Sequence, residues 1–219
     1  VEELYVGKIH SQIENLSYDL KVLSLNKART LYPKSKIIIA DTLSCAKWYE
    51  SKGENTFAIQ ISDSIISECD EAKVIKAKAL CNLGNKESDT DKRRQYIEQA
   101  FSELGKLKEE GAEDVRQYLQ KSYLDVAEQY YSTDDIDNCY ILLHSLAKQK
   151  YNPALISIAC HRLFEVNKYS DTTEKLSKIN DAIGEINVYD ISAVVNVPEY
   201  CSLWSEKINT TIEICRTKD

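Results

Sequence analysis

The chain is 219 residues long, enough for one sizeable core or a block of repeats, so neither disulfides nor a structural metal are needed to hold it folded. Six glycines and three prolines are too few for a turn-rich β architecture or a low-complexity linker. A formal charge of −7, from 35 acidic and 28 basic residues, weighs against general nucleic-acid or anionic-membrane binding, although Lys73, Lys76 and Lys78 are spaced to form a local basic face.

In chain order, helices are expected over residues 2–16 and 18–32, the second carrying Leu20, Leu23, Leu25, Ala28 and Leu31 as its apolar stripe and ending at Pro33. A third helix is expected over 36–51. Gly53 then turns the chain into a fourth over 55–68, whose Phe57, Ile61, Ile65 and Ile66 share a face. A helix over 71–83 precedes GNKESDTDKRR, the most polar stretch, and residues 84–91 are expected to be a flexible loop. Helices follow over 92–108, 113–131 and 135–149, with Ser132 or Thr133 as the candidate cap of the last. Pro153 opens a helix over 153–166, and Asp171 or Thr172 opens one to about 185. INVYDISAVVNV is rich in β-branched residues, but a lone strand has no partner, so it is read as helix or extended connection before a final helix from Pro198 to about 216.

No run approaches about 18 uncharged apolar residues and the N-terminal stretch alternates charge with apolar positions, so neither a membrane span nor a signal peptide is expected. The expected location is intracellular, cytoplasmic or nuclear. Asn15 and Asn209 open glycosylation patterns that have no consequence in that setting. Seven cysteines form no CxxC pair, and Cys45, Cys81, Cys139, Cys160 and Cys215 lie among apolar residues, so reduced, buried thiols are expected. A chain that starts at Val1 and lacks methionine is expected to be part of a longer protein.

One internal correspondence organises the chain. Ala46, Tyr49, Gly53 and Ala58 lie at relative positions 0, 3, 7 and 12, and Ala127, Tyr130, Asp134 and Cys139 repeat those offsets 81 residues later. Small residues on both helices of a hairpin let the backbones close up, the tyrosine fills the wedge one turn on, and a turn-permissive residue makes the corner. This pattern resembles the tetratricopeptide-repeat family, with Ala28 before Pro33 and Leu146-Ala147 before Pro153 resembling its closing element. The resemblance covers residues 20–68 and 118–153. It departs from the family at Thr42, where a large apolar residue is usual, and in the long loop assigned to the hairpin over 71–108.

Two narrower resemblances accompany it. YIEQAFSELGKLKEEGAEDVRQYLQKSYLDVAEQYYSTDDI, continuing through NPALISIACHRL, is similar to the helical-repeat scaffolds that organise meiotic crossover sites. CAKWYESKGENTFAIQISDSII with KAKALCNLGN is similar to the repeat region before the catalytic domain of the phosphatidylinositol-3-kinase-related kinases, except that Lys86-Glu87-Ser88 follows where that family continues with a tryptophan-containing helix. Both imply a scaffold segment.

Residues that could carry chemistry are few. Cys160 and His161 are neighbours, about 100° apart on a helix, and Cys139 and His144 are five apart, so neither pair shares a helical face for one ion. No GxSxG, Gly-rich phosphate loop or HExxH occurs, and the acidic clusters Glu109-Glu110 with Glu113-Asp114 and Asp134-Asp135 with Asp137 read as solvated helix ends. No metal, cofactor or catalytic residue is expected.

The expectation is therefore an all-α chain, one helical-repeat domain over 1–219, of antiparallel hairpins stacked as a tetratricopeptide-like α-solenoid. Its expected function is a non-catalytic scaffold that binds a helical or extended segment of a protein partner. The alternatives are a structural segment of a large kinase and a helical enzyme whose site forms on oligomerisation. In such a stack the first helix of each hairpin lines the groove, which makes Leu43, Lys47, Glu50, Leu124, Glu128 and Tyr131 the candidate partner-binding residues.

Overall fold

The computed structural model describes residues 2–105 and 107–216, with positions 2 and 193 described by backbone alone. Of the span expected to form one domain, Val1, Lys106 and 217–219 lie outside the described residues. The described residues form eleven α-helices and one 3-10 turn, with no strand among them: α1 (Glu2–Ile13), α2 (Tyr18–Leu31), α3 (Lys36–Ser51), α4 (Asn55–Asp63), α5 (Asp70–Lys86), α6 (Thr90–Leu104), α7 (Ala112–Ser132), α8 (Ile136–Lys148), α9 (Asn152–Val166), α10 (Thr172–Asn187), the turn Ile191–Ala193, and α11 (Pro198–Arg216). Two compact units result, Val1–Ser122 and Tyr123–Asp219, with α7 running from one into the other.

In the first unit, consecutive helices pack on one another from α1 through α6, and α3 also packs on α5. Leu25, Ile38 and Ile65 are fully buried at its centre, and each large aliphatic removed from water contributes about 1.5–3 kcal/mol. In the second unit, α8 packs on α9, and α9, α10 and α11 pack on each other around Leu142, Leu146, Ile158, Ile179 and Ile186.

Both copies of the hairpin pattern form hairpins with one corner geometry. Gly53 (φ 76°) and Asp134 (φ 63°) take the left-handed position, and the N–H one residue later returns to the tyrosine carbonyl, Glu54 to Tyr49 at 3.0 Å and Asp135 to Tyr130 at 2.9 Å. The small residues Ala46, Ala58, Ala127 and Cys139 are all wholly buried, and Tyr49 and Tyr130 lie beside them in the core. A third corner of the same kind, invisible to the tyrosine pattern, joins α8 to α9: Lys150 (φ 61°) is left-handed and the Tyr151 N–H donates to the Leu146 carbonyl at 3.1 Å.

Several boundaries and faces differ from the sequence reading. The flexible loop placed at 84–91 shrinks to Glu87–Asp89, because α5 continues through Lys86 and Asp89 caps α6 by accepting the Lys92 N–H at 2.9 Å. Gly84 sits buried inside α5 as a packing residue against α6, and the turn lies beyond it. The helix placed at 92–108 ends at Leu104, where Gly105 takes a positive φ. On α2, Leu25 and Ala28 are buried while Leu20, Leu23 and Leu31 face solvent, and on α4 Phe57 faces outward. The cap of α8 is Asp135, whose carboxylate accepts the Asn138 N–H, while the Ser132 and Thr133 hydroxyls donate back to α7 carbonyls. INVYDISAVVNV ends α10 and then forms the short 3-10 turn, opened by Asp190 accepting the Ser192 N–H.

Candidate functional site

The first unit carries a cleft lined by three helices that each begin or open a hairpin. On α5, Glu71, Val74, Ile75, Lys78, Asn82 and Asn85 recur every three or four residues and so occupy one helical face. That face looks across to Lys47 and Glu50 of α3 on one side and, on the other, to Glu110 and Gly111 before α7 and Asp114, Val115 and Tyr118 on it. The cleft has a volume of about 360 Å³. Val74, Ile75 and Val115, each only 7% exposed, form an apolar floor.

Ion pairs and carboxamides fix the walls. Lys47 pairs with Glu71 at 2.5 Å and Lys78 with Glu50 at 3.0 Å, both joining α3 to α5. The Asn82 amide donates to Glu50 at 3.2 Å, and the Tyr118 hydroxyl donates to the Asn82 carbonyl oxygen at 3.3 Å. Asn85 donates to the Tyr118 hydroxyl at 2.9 Å and to the Ser122 hydroxyl at 3.0 Å, while its own oxygen accepts from Arg93 at 3.2 Å. The Tyr118 hydroxyl is thereby tied to two carboxamides of α5, while the residue stays 39% exposed. Four acids, Glu50, Glu71, Glu110 and Asp114, stand against Lys47 and Lys78, so the lining carries an excess of acid.

Of the six residues proposed for a partner surface, Lys47 and Glu50 lie in this cleft, and Leu43, 9% exposed, belongs to the core of the first unit. Leu124, Glu128 and Tyr131 belong to the second unit. Leu124 is half-buried there, and Glu128 and Tyr131 are engaged by His161 of α9. The cleft residues of α5 and Tyr118 escaped the sequence reading because the hairpin over 71–108 was discounted for a loop that turns out to be three residues long; the recurrence of Glu71, Lys78, Asn82 and Asn85 was the available signal.

In the second unit the histidines build two polar networks. His161 Nε2 lies 3.0 Å from the Glu128 carboxylate, which can only accept, so the proton sits on Nε2 and Nδ1 is left to accept the Cys139 thiol, 3.8 Å away. Order and distances follow a cysteine–histidine–acid relay, yet Cys139 is wholly buried, burial pushes its thiol up to about 12, and the Tyr131 ring covers the imidazole. A thiol held neutral and away from solvent is no nucleophile. His144 Nε2 donates to Glu185 at 2.7 Å and its Nδ1 meets the Tyr189 hydroxyl at 2.7 Å. Arg162 binds Glu185 through two nitrogens at 2.6 and 2.9 Å and Glu165 through a third at 2.7 Å, with its guanidinium over the Tyr140 ring at 3.7 Å. The cavity of about 330 Å³ beside it therefore faces a cation already neutralised by two carboxylates. Burial pushes Glu185 up, but the bonds from His144 and Arg162 outweigh it and hold the carboxyl at about 2.

The local basic face for which Lys73, Lys76 and Lys78 are spaced is offset by acids. Lys73 pairs with Asp70 of its own helix at 2.6 Å, Lys78 with Glu50 of α3, and Lys76 is clamped between Asp63 of α4 at 2.7 Å and Glu103 of α6 at 2.5 Å, so each lysine has an acid beside it. Among the cysteines, Cys45, Cys81 and Cys139 are buried, but Cys215, read as buried, is exposed at the outer face of α11 together with Cys201. Among the described residues no group of three His, Cys, Asp or Glu side chains is arranged to hold a metal ion, and no helix is long and apolar enough to cross a membrane. Compared with protein-family models and with curated proteins, the chain finds no match.

Proposed function

We propose that the chain is a non-catalytic scaffold of the tetratricopeptide-like α-solenoid kind, and that the α3–α5–α7 cleft takes a helical or extended segment of a protein partner. The observation that carries this reading is the cleft itself. Its floor is apolar, its walls are the first helices of successive hairpins, and its rim is fixed by ion pairs that leave an excess of acid. Such a surface suits a segment that places one or two aliphatic side chains on Val74, Ile75 and Val115 and basic groups near Glu110 and Asp114. The sealed Cys139 and the doubly paired Arg162 support the non-catalytic part of the reading, since the two polar networks of the second unit are spent within it.

The test begins with partners captured by cross-linking in native cell extract and identified by mass spectrometry. Each captured segment is then titrated against the wild-type chain and the Glu110→Lys, Asp114→Lys pair. Both positions are exposed at the start of α7, so the pair is expected to cost only about 0.3–1 kcal/mol of stability per site against the helix dipole while weakening binding at least about tenfold, some 1.4 kcal/mol. Equal affinity for the charge-reversed chain would remove the cleft from the reading.

A further inference from the structure

The charges that line the α3–α5–α7 cleft do not cancel evenly. Lys47 is spent on Glu71 and Lys78 on Glu50. Arg116 of α7 is spent on Glu113 and on the Gly105 and Leu107 carbonyls. Glu110 and Asp114, both exposed, therefore line the cleft with no ion-pair partner among the described residues. Asp114, Val115 and Tyr118 are three and four residues apart and so share one face of α7, which sets the unpaired acid beside the apolar floor and the ring. The Tyr118 hydroxyl is tied to Asn82 and Asn85, which come after Lys78 on α5, so the tyrosine stands at the Lys78 end of the cleft.

The second unit shows what a tyrosine and two carboxylates can hold. There the Arg162 guanidinium lies 3.7 Å from the centre of the Tyr140 ring and donates to Glu185 at 2.6 and 2.9 Å and to Glu165 at 2.7 Å. The cleft of the first unit carries the same set, Tyr118 with Asp114 and Glu110, and lacks the arginine. A guanidinium suits such a set better than an ammonium, because its planar fork meets carboxylates in pairs and stacks on a ring. Its methylene stem also covers apolar surface on the way in, as Val74, Ile75 and Val115 offer here. At about 360 Å³ the cleft is near the small end of ligand sites, which run from about 300 to 1,000 Å³, a size for one long side chain.

We propose that the cleft takes one arginine side chain of a protein partner, its stem on Val74, Ile75 and Val115, its guanidinium against the Tyr118 ring and bonded to Asp114 and Glu110. This rests on the reading of the cleft as the partner surface and names the residue that the partner brings to it. One side chain alone binds weakly, with a Kd on the order of 10 mM, and the rest of the partner segment supplies the remainder.

Titration of N-acetyl-arginine methylamide into the isotope-labelled chain, followed by amide NMR, tests this. The amides of Val74, Gly111, Val115 and Tyr118 are expected to shift together. The citrulline counterpart, alike in shape but uncharged, is expected to bind at least about tenfold more weakly, and the lysine counterpart at least about threefold more weakly. Asp114→Asn is expected to weaken the arginine probe at least about threefold, with unmoved amides outside the cleft confirming the fold. The citrulline comparison needs no variant. Citrulline or lysine binding as well as arginine, an Asp114→Asn chain that binds the probe like wild type, or shifts that lie outside the cleft would each overturn the proposal. Free L-arginine binding at least about tenfold more tightly than the blocked probe would overturn the protein source and make the cleft a small-molecule site. If the probe leaves the cleft unshifted while a captured partner segment still loses affinity for the Glu110→Lys, Asp114→Lys chain, the arginine falls and the partner surface stands. If both results fail, both readings fall.

Discussion

Gly84 lies so close against Tyr96 that a Cβ added to the glycine would stand 3.0 Å from the tyrosine Cβ and 3.2 Å from the Arg93 carbonyl. Neither is the yielding end of a long side chain, so α5 and α6 would have to move apart. Gly84→Ala is therefore expected to cost about 1–3 kcal/mol by overpacking, read from the urea midpoint. Gly184, exposed within α10 with nothing within 4 Å of a Cβ, is the control: Gly184→Ala is expected to stabilise by about 0.5–1 kcal/mol through helix propensity.

The left-handed corners make a prediction of opposite signs. Gly53→Ala places a Cβ at φ 76° and is expected to lose about 1–2 kcal/mol, whereas Lys150→Gly relieves the same cost at φ 61° and is expected to gain about 1 kcal/mol. Thermal melts of the two variants check both signs. Ala46→Leu and Ala58→Leu, which force methylenes into the wholly buried contact between α3 and α4, are expected to lose about 1–3 kcal/mol, and unchanged melting would remove the repeat alignment.

Tyr131 lies flat on His161, ring centres 3.6 Å apart and planes 5° from parallel. Tyr131→Ala is expected to lower stability by about 1–3 kcal/mol, through lost stacking and the opening of the His161–Cys139 pair to water. Cys139 would then react with a thiol reagent in the folded protein, while the wild-type thiol waits for unfolding.

How far such contacts could be read in the sequence depends on their separation along it. The helices were legible because each repeats its apolar positions every three or four residues, and the corner at Gly53 because its pattern recurs at Asp134. The pairing of His161 with Glu128 and Cys139 joins residues 33 and 22 apart, a distance no local periodicity reports. Gly84 misled for a related reason: glycine serves both for turning and for close approach, and only the neighbouring helix decides which. Leu20, Leu23 and Leu31 gave the apolar spacing expected of α2 yet face solvent, since a helix with apolar residues on two sides does not announce which side the core takes.

Acid should weaken the second unit through Glu185. Its ordinary value is 4.5 and its folded value about 2. Above 4.5 both folded and unfolded chains are ionised, so the full contribution of the His144 and Arg162 bonds is present. As pH falls from 4.5 toward 2 the unfolded chain takes up the proton first and that contribution drains away. Unfolding free energy is expected to fall over this window in the wild-type chain and to fall less in Glu185→Gln.

His10 acts in the other direction. Its Nδ1 lies 2.8 Å from the Asp41 carboxylate, and the hydrogen bond raises the imidazole above 6.5. The tie between α1 and α3 is complete below pH 6.5 and is lost as pH rises through the raised value. A proton-NMR titration is expected to show His10 above 6.5 in the wild-type chain and lower in Asp41→Asn.

Three corners of one geometry are filled by Gly53, Asp134 and Lys150, residues with nothing in common as side chains. The bend rests on main-chain hydrogen bonds, so the residue at its tip sets how much strain the corner carries rather than whether it forms. The stricter demand falls on the small buried residues, such as Ala46 and Ala127, where any larger side chain would part the helices.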